Sequence, residues 1–159
     1  MNLNPLHTLF PKSDTTPAGA SAAPTGNPPS PREAVVKLLE LEGCKARVDN
    51  DGDIVFTHRD LHYLLLFSAQ DSEYVRLVLP SFCAIGSDAE RAAAYEAANI
   101  TNATCKAAKV TVERGQTHAT VECFLASQHH IVPVLMRSAG ALDHAARSFA
   151  VAYTMIRRR

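Results

Sequence analysis

The sequence carries no net charge and no long apolar run, and these two absences argue against large functional classes. Sixteen basic residues balance sixteen acidic ones among the 159 residues. The chain therefore lacks the positive field that draws proteins to nucleic acid or to anionic lipid. No segment reaches the roughly 18 consecutive apolar residues that a membrane-spanning helix needs. We accordingly expect neither a nucleic-acid partner nor a membrane partner.

Cysteines are few, and they lack the spacing of a zinc site or of a disulfide framework. They are scattered without a Cys-x-x-Cys pair, at Cys44, Cys83, Cys105 and Cys123. The first residues also lack a basic segment followed by an apolar one, which is the pattern of a secretory signal. These features predict a cytoplasmic protein whose thiols are reduced.

Catalytic motifs are absent as well. The sequence has no glycine-rich phosphate loop, no Gly-x-Ser-x-Gly and no carboxylate-histidine pair at helical spacing. Cys123 and His118 are the best candidates for a nucleophile and its base. They lie five residues apart on one predicted strand, so their side chains point to opposite faces. Cys123 is better interpreted as a buried structural thiol. We expect no enzymatic activity, no catalytic residue and no cofactor.

The seven histidines form no metal-binding pattern. His58 and His62 are four residues apart, but this spacing brings ligands together on a helix and not across the strand, turn and strand predicted here. His129 and His130 adjoin the predicted start of the last helix, where we expect them to be exposed to solvent. The sequence therefore predicts no metal site.

The first 30 residues differ in composition from the rest. Residues 1–30 contain six of the nine prolines together with many alanine, serine and threonine residues. Such a segment buries too little apolar surface to offset its chain entropy. We predict a disordered tail over residues 1–30 and a folded α+β domain over residues 31–159. Four apolar residues of the tail have near-helical spacing and could dock in a groove of the domain: Leu3, Leu6, Leu9 and Phe10.

The domain is predicted to begin with a helix and a four-stranded antiparallel meander. Ser30 and Glu33 have the spacing of a capping box, which marks a helix start at Pro31. Alternation of apolar and polar residues then predicts four strands. The first two are joined by the Asp51-Gly52 turn, the second and third by a reversal at Arg59-Asp60, and the last ends near Pro80.

A helix, a two-stranded hairpin and a long C-terminal helix follow. A second capping box, Ser87 with Glu90, opens an alanine-rich helix that runs to about Thr104. Its buried face is expected to consist of small and aliphatic residues at helical spacing: Ala89, Ala93, Ala97 and Ile100. Alternating residues on both sides of Gly115 predict the hairpin. A stripe of apolar residues predicts one amphipathic helix over about 131–157.

This order of elements, together with several specific residues, resembles a known family. The matching features are the Asp51-Gly52 turn, Leu79-Pro80, the paired Asn99 and Asn102, the Lys109-Val110 strand start and the apolar last helix. Over roughly residues 31–155 the chain resembles the YbjN-like family of bacterial proteins described as sensory-transduction regulators. The resemblance implies a fold similar to that of type III secretion chaperones. It does not imply a particular reaction, because one fold serves many functions.

One strand breaks the alternation expected of a sheet that is covered on a single face. In the segment Tyr63–Phe67, Leu64 and Leu66 are apolar although the alternate positions already supply a buried face. Together with Val75 and Leu77 of the next strand, they are our candidate residues for binding a protein partner. Two explanations stay open: the last helix or the tail covers the patch, or a client protein or a second copy in a homodimer does so.

Two asparagines near the end of the middle helix are predicted to have a structural role. Asn99 and Asn102 lie three residues apart and so share one side of the helix. Their amides can bond the free carbonyl groups at the helix end or the backbone of the strand that follows.

The function predicted from these features is a non-enzymatic protein-binding module with a chaperone-like or regulatory role. Its partner would bind on the open sheet face or at a strand edge. The alternative is a small-molecule or metal-linked sensory regulator with a pocket between sheet and helices.

Overall fold

The first helix begins where the sequence supplies a capping box. In the computed structural model, which describes residues 30–125 and 131–159, helix α1 spans Pro31–Leu41. The Ser30 hydroxyl accepts a hydrogen bond from the Glu33 backbone N–H at 3.3 Å, and the Glu33 carboxylate accepts one from the Ser30 N–H at 2.7 Å. The predicted helix start is confirmed. Except for Ser30, the predicted tail and its docking residues lie outside the described residues, as do His129 and His130.

The remaining elements build an α+β fold with one antiparallel sheet, as predicted. The strands are β1 (Lys45–Val48), β2 (Ile54–His58), β3 (Leu61–Phe67), β4 (Tyr74–Ala84), β5 (Lys109–Glu113) and β6 (Gln116–Phe124). The other helices are α2 (Asp88–Thr104) and α3 (Ile131–Arg157). The sheet order is β1-β2-β3-β4-β6-β5, and every neighbouring pair is antiparallel. Helix α2 carries the chain over to the far edge, so β6 and not β5 pairs with β4.

Two of the hairpins depend on residues in the left-handed backbone region. Arg59 and Asp60 have φ values of 50° and 63°, and Arg114 and Gly115 have values of 48° and 77°. Two successive positive φ angles are the property of the two-residue turns whose twist matches that of paired strands. Both reversals were predicted. The first contains no glycine and therefore carries a small conformational cost.

Strand β4 is longer than predicted. It passes through Pro80 and continues to Ala84, and its register against β6 shifts between Leu79 and Cys83. The irregularity explains how proline is accommodated, because a bulge leaves ladder positions where no backbone donor is needed. The next residue, Ser81, has a φ of 49° and donates its N–H to His118 Nδ1 at 3.2 Å. The prediction that the strand ends at Pro80 is therefore wrong, because the irregularity in register lets the strand continue past the proline.

The core lies between one face of the sheet and the three helices. Helix α3 crosses the sheet with an apolar stripe whose largest side chains are fully buried: Leu135, Leu142 and Phe149. The Phe149 ring packs edge to face against Phe82 of β4, with ring centroids 5.4 Å apart. The predicted bounds and apolar face of this helix are confirmed.

Helix α2 is rotated relative to the predicted orientation. Its buried residues are Ala93, Ala94, Ala97, Ala98 and Thr101. Ala89 and Ile100, which we assigned to the buried face, are exposed. A run of alanines has no large apolar side chain to set the rotation, so contact with β5 and α3 sets it. The buried Thr101 hydroxyl is satisfied by donating to the Ala97 carbonyl at 2.8 Å.

The end of α2 is fastened to β5 by one of the two asparagines. The Asn102 amide donates to the Val110 carbonyl at 3.0 Å and accepts from the Val110 N–H at 2.7 Å. These bonds are of the predicted kind, to the backbone of the following strand. Asn99 is exposed, and its amide has no hydrogen bond within the described part of the chain. The structural role therefore belongs to Asn102, and the assignment of Asn99 to it is wrong.

Within the two described ranges, no helix combines the length and the apolar character needed to cross a bilayer.

We expect the Asn102→Ala substitution to lower the free energy of unfolding by about 1 to 2 kcal/mol, because it leaves both backbone groups of Val110 without their partner. Asn99→Ala is the matched control and should change it by less than about 0.5 kcal/mol. Urea unfolding followed by circular dichroism measures both. Equal effects of the two substitutions would contradict this assignment.

Candidate protein-binding surface

The sheet face opposite the helices carries an apolar patch at its centre. Val55 on β2 lies directly opposite Leu64 on β3, and Leu64 lies opposite Val78 on β4. Leu66 is the next residue of β3 on the same face. None of these four residues belongs to the core cluster between sheet and helices. We call Val55, Leu64, Leu66 and Val78 the open-face patch.

Two of the predicted patch residues lie on the other face of the sheet. Val75 is opposite Phe67 and Leu77 is opposite Leu65, and residues directly opposite in an antiparallel pair share a face. Val75 and Leu77 are 3% and 2% exposed and pack in the core. Their assignment to the binding surface is wrong; Val78 is the β4 residue that shares the face of Leu64.

No described helix covers the open-face patch. Helix α3 packs on the core face, where the Tyr63 hydroxyl donates to the Ala139 carbonyl at 3.5 Å. The explanation that the last helix buries Leu64 and Leu66 is therefore wrong. Both leucines are partly exposed, whereas Val78 is only 7% exposed.

Charged side chains border the patch on two sides. On the β1 side, Lys45 and Arg47 are exposed. On the opposite side, Glu122 lies 3.5 Å from Arg76 and 3.9 Å from Lys109. Together with Glu40, which lines the same face beside Lys45 and Arg47, these border positions contain four cations and two anions, so the rim of the patch carries a net positive charge.

Two further features extend the apolar surface. At one end of the open face, Phe124 packs edge to face on Tyr74 with ring centroids 5.7 Å apart, and Phe124 remains 70% exposed. Over β1, β2 and β3, a shallow depression of ≈ 680 Å³ is lined by residues that include Val55, Leu64 and Pro80. The combination of a depression, leucine side chains and an exposed aromatic ring is typical of a protein-binding surface.

The strand edges are less suited to pairing with another chain. The outer strands of the sheet are β1 and β5. They are four and five residues long, and both carry exposed charged side chains: Lys45 and Arg47 on β1, Lys109 and Glu113 on β5. Short, charged edge strands discourage addition of another strand. The open face is therefore the better candidate surface.

The residues considered for catalysis do not form a reactive site. His118 accepts from the Ser81 N–H on the open face, while Cys123 packs against the core on the other face. Burial raises the pKa of the Cys44, Cys83 and Cys123 thiols above their ordinary range. These thiols are protonated at neutral pH and are weak nucleophiles.

The structure brings together three side chains that the sequence did not connect. The Cys44 sulfur lies 3.7 Å from His58 Nδ1 and 4.0 Å from the Met136 sulfur. His58 is thus separated from His62, which faces the other way and whose Nδ1 lies 2.9 Å from the Thr57 hydroxyl. Among residues 30–125 and 131–159, no three side chains of histidine, cysteine, aspartate or glutamate converge as metal ligands. The thioether of Met136 is a ligand type outside that set.

A small cavity adjoins two of these side chains, those of His58 and Met136. It has a volume of ≈ 290 Å³ and lies between the β2–β3 turn and the middle of α3. Its lining includes His58, Tyr63, Met136 and Gly140. A pocket between sheet and helices is what the alternative function, a sensory regulator, requires.

Comparison of the chain with models of protein families, with curated proteins and with solved structures yields no match. The geometry of the chain's own residues therefore carries the functional argument.

We expect Cys44, Cys83 and Cys123 to react slowly with iodoacetamide at pH 7 in the native protein, because their raised pKa leaves little thiolate. Alkylation should accelerate as the pH rises beyond about 8.5, the ordinary thiol pKa, and should be faster at each pH in the urea-unfolded chain. Mass spectrometry of the labelled peptides measures each site. Rapid labelling of one of these thiols in the native protein at pH 7 would contradict this expectation and would support the hypothesis of a cysteine-dependent enzyme.

Proposed function

We propose that the protein is a non-enzymatic protein-binding module with a chaperone-like or regulatory role, and that it binds its partner on the open sheet face. The observation that carries the proposal is the open-face patch. It places two partly exposed leucines in the middle of a sheet face that no described helix covers.

The energetics favour occupation of this face by an apolar segment. Fully burying one leucine side chain contributes about 1.5 to 3 kcal/mol relative to leaving it exposed. Leu64 and Leu66 are partly exposed and so retain part of this free energy for binding. The exposed Phe124 ring adds an aromatic anchor of the kind enriched at binding hot spots.

The rim of the patch indicates the chemistry of the partner. Lys45 and Arg47 form no ion pair within the described residues, and they stand beside the apolar centre. A partner segment with apolar side chains flanked by aspartate or glutamate would complement both features. We therefore propose an apolar segment with acidic flanks as the bound element of the partner protein.

The resemblance to the YbjN-like regulators leads to the same class of function. An arrangement similar to that of type III secretion chaperones, and action in the cytoplasm, are parts of this proposal. A second copy of the chain would be one form of partner, and it would give a homodimer.

The test is the double substitution Leu64→Asp and Leu66→Asp in the full chain. We expect it to abolish recovery of the wild-type partner and any self-association, because it places two carboxylates in the apolar contact. Val151→Asp is the matched control: Val151 is 61% exposed on α3, away from the open face. Co-purification with quantitative mass spectrometry and light scattering are the measurements.

Arg47→Glu provides an independent arm that leaves the apolar contact intact. It should weaken partner binding, and wild-type binding should weaken as the salt concentration rises.

Unchanged mass, solubility and partner recovery in the leucine double variant would refute the proposed surface.

A second candidate function, a small-molecule or metal-linked regulator, is supported by the cavity beside α3. Its polar and polarisable lining groups converge from the sheet and the helix: the His58 imidazole, the Tyr63 hydroxyl and the Met136 thioether. Gly140 opens the helix side, since a Cβ added there would meet no atom within 4 Å.

For this second function, we expect a ligand from a thermal-shift screen to raise the melting temperature of the wild-type chain. Gly140→Leu should abolish the shift by filling the cavity. Gly140→Ala is its control. It should stabilise the free protein by about 0.5 to 1 kcal/mol through its helix propensity and keep the ligand response. A response that survives Gly140→Leu would place the ligand elsewhere.

A further inference from the structure

Two sulfur donors and one imidazole nitrogen meet at the junction of three separate elements. Cys44 follows the left-handed Gly43 (φ 79°) at the end of α1, and its N–H donates to the Leu39 carbonyl at 3.0 Å. His58 is the last residue of β2, and Met136 lies in the second turn of α3. Backbone hydrogen bonds of two helices and a sheet therefore position the thiol, the imidazole and the thioether independently of one another.

The two distances from the Cys44 sulfur are close to the separation of ligands around one small ion. With metal–sulfur bonds of about 2.3 Å and metal–nitrogen bonds of about 2.0 Å, a planar three-coordinate site separates sulfur from nitrogen by about 3.7 Å and sulfur from sulfur by about 4.0 Å. The observed values are 3.7 Å between Cys44 and His58 and 4.0 Å between Cys44 and Met136.

We propose that Cys44, His58 and Met136 form a three-coordinate binding site for a monovalent copper ion. Thiolate and thioether ligands favour Cu(I), and imidazole also suits copper. Zinc prefers four ligands drawn from cysteine, histidine and carboxylates, a set that does not converge within the described residues. The donor types thus favour Cu(I) over zinc.

The surroundings suit a bound cation that is shielded from water. Cys44 is 5% exposed, while His58 and Met136 line the cavity beside α3, which gives the ion a route of entry. On binding, the Cys44 thiol exchanges its proton for the copper ion and the proton passes to solvent. Copper keeps its +1 state, and no electron is transferred.

This site is independent of the open-face patch and lies on the other face of the sheet. It specifies the ligand class of the second candidate function. The two proposals can fail separately: the Leu64→Asp and Leu66→Asp double variant should keep the copper affinity of the wild type. Met136→Leu should leave partner capture unchanged.

The experiment is an anaerobic titration of the full chain with Cu(I), kept reduced by ascorbate, in competition with bicinchoninate. We expect the wild type to withhold one copper equivalent from the chelator. Met136→Leu conserves side-chain volume and should weaken binding at least about tenfold, a loss of the size seen when even the outer partners of metal ligands are removed. Met155→Leu is the matched control on the same helix, 61% exposed, and should leave the affinity unchanged.

Two further readouts decide the outcome. Copper should raise the melting temperature of the wild type, because it links α1, β2 and α3, and Met136→Leu should lose this rise. X-ray absorption at the copper edge should reveal two sulfur ligands and one nitrogen ligand. Copper binding that is unaffected by both Met136→Leu and His58→Phe would overturn the proposal, as would the absence of any retained copper equivalent.

Discussion

Pairing between β4 and β6 holds the two halves of the chain in one sheet. Before β4 the chain forms a helix and a meander of local hairpins, and after it the chain forms a helix, a hairpin and the long helix α3. The β4–β6 ladder joins these halves across some forty residues of sequence, from the Tyr74–Phe124 pair at one end to the Ala84–Gln116 pair at the other. It also gives α3 a continuous surface to cross, and so it determines where the core lies.

A sheet covered on one face explains both candidate sites. The covered face leaves a cavity where the β2–β3 turn meets α3, and there Cys44, His58 and Met136 approach each other. The uncovered face leaves Leu64 and Leu66 without a helix above them. Contiguous exposed apolar patches often mark interaction sites. The same architecture therefore leaves the proposed partner surface on one side of the sheet and the proposed copper site on the other.

Local signals in the sequence predicted the elements, while long-range geometry decided the sites. The Ser30–Glu33 capping box, the Arg59-Asp60 turn and the stripe of α3 depend on residues close in sequence, and these predictions were confirmed. The side of the sheet reached by Val75, Leu77 and Val78 depends on the register set by the loop after Phe67, and a one-residue error in that register exchanges the two faces. The contact between Cys44 and Met136 spans 92 residues, and no local pattern encodes it.

The two hydrogen bonds between Asn102 and Val110 bear on the order in which the chain folds. Its partner Val110 is only eight residues away, so closing this loop costs little chain entropy compared with joining β4 to β6. Helix α2 and strand β5 can therefore assemble as a local unit early in folding, before the long-range ladder forms. The hydrogen bonds of the Asn102 amide would then fix the orientation of the β5–β6 hairpin before β6 pairs with β4, the edge strand of the meander.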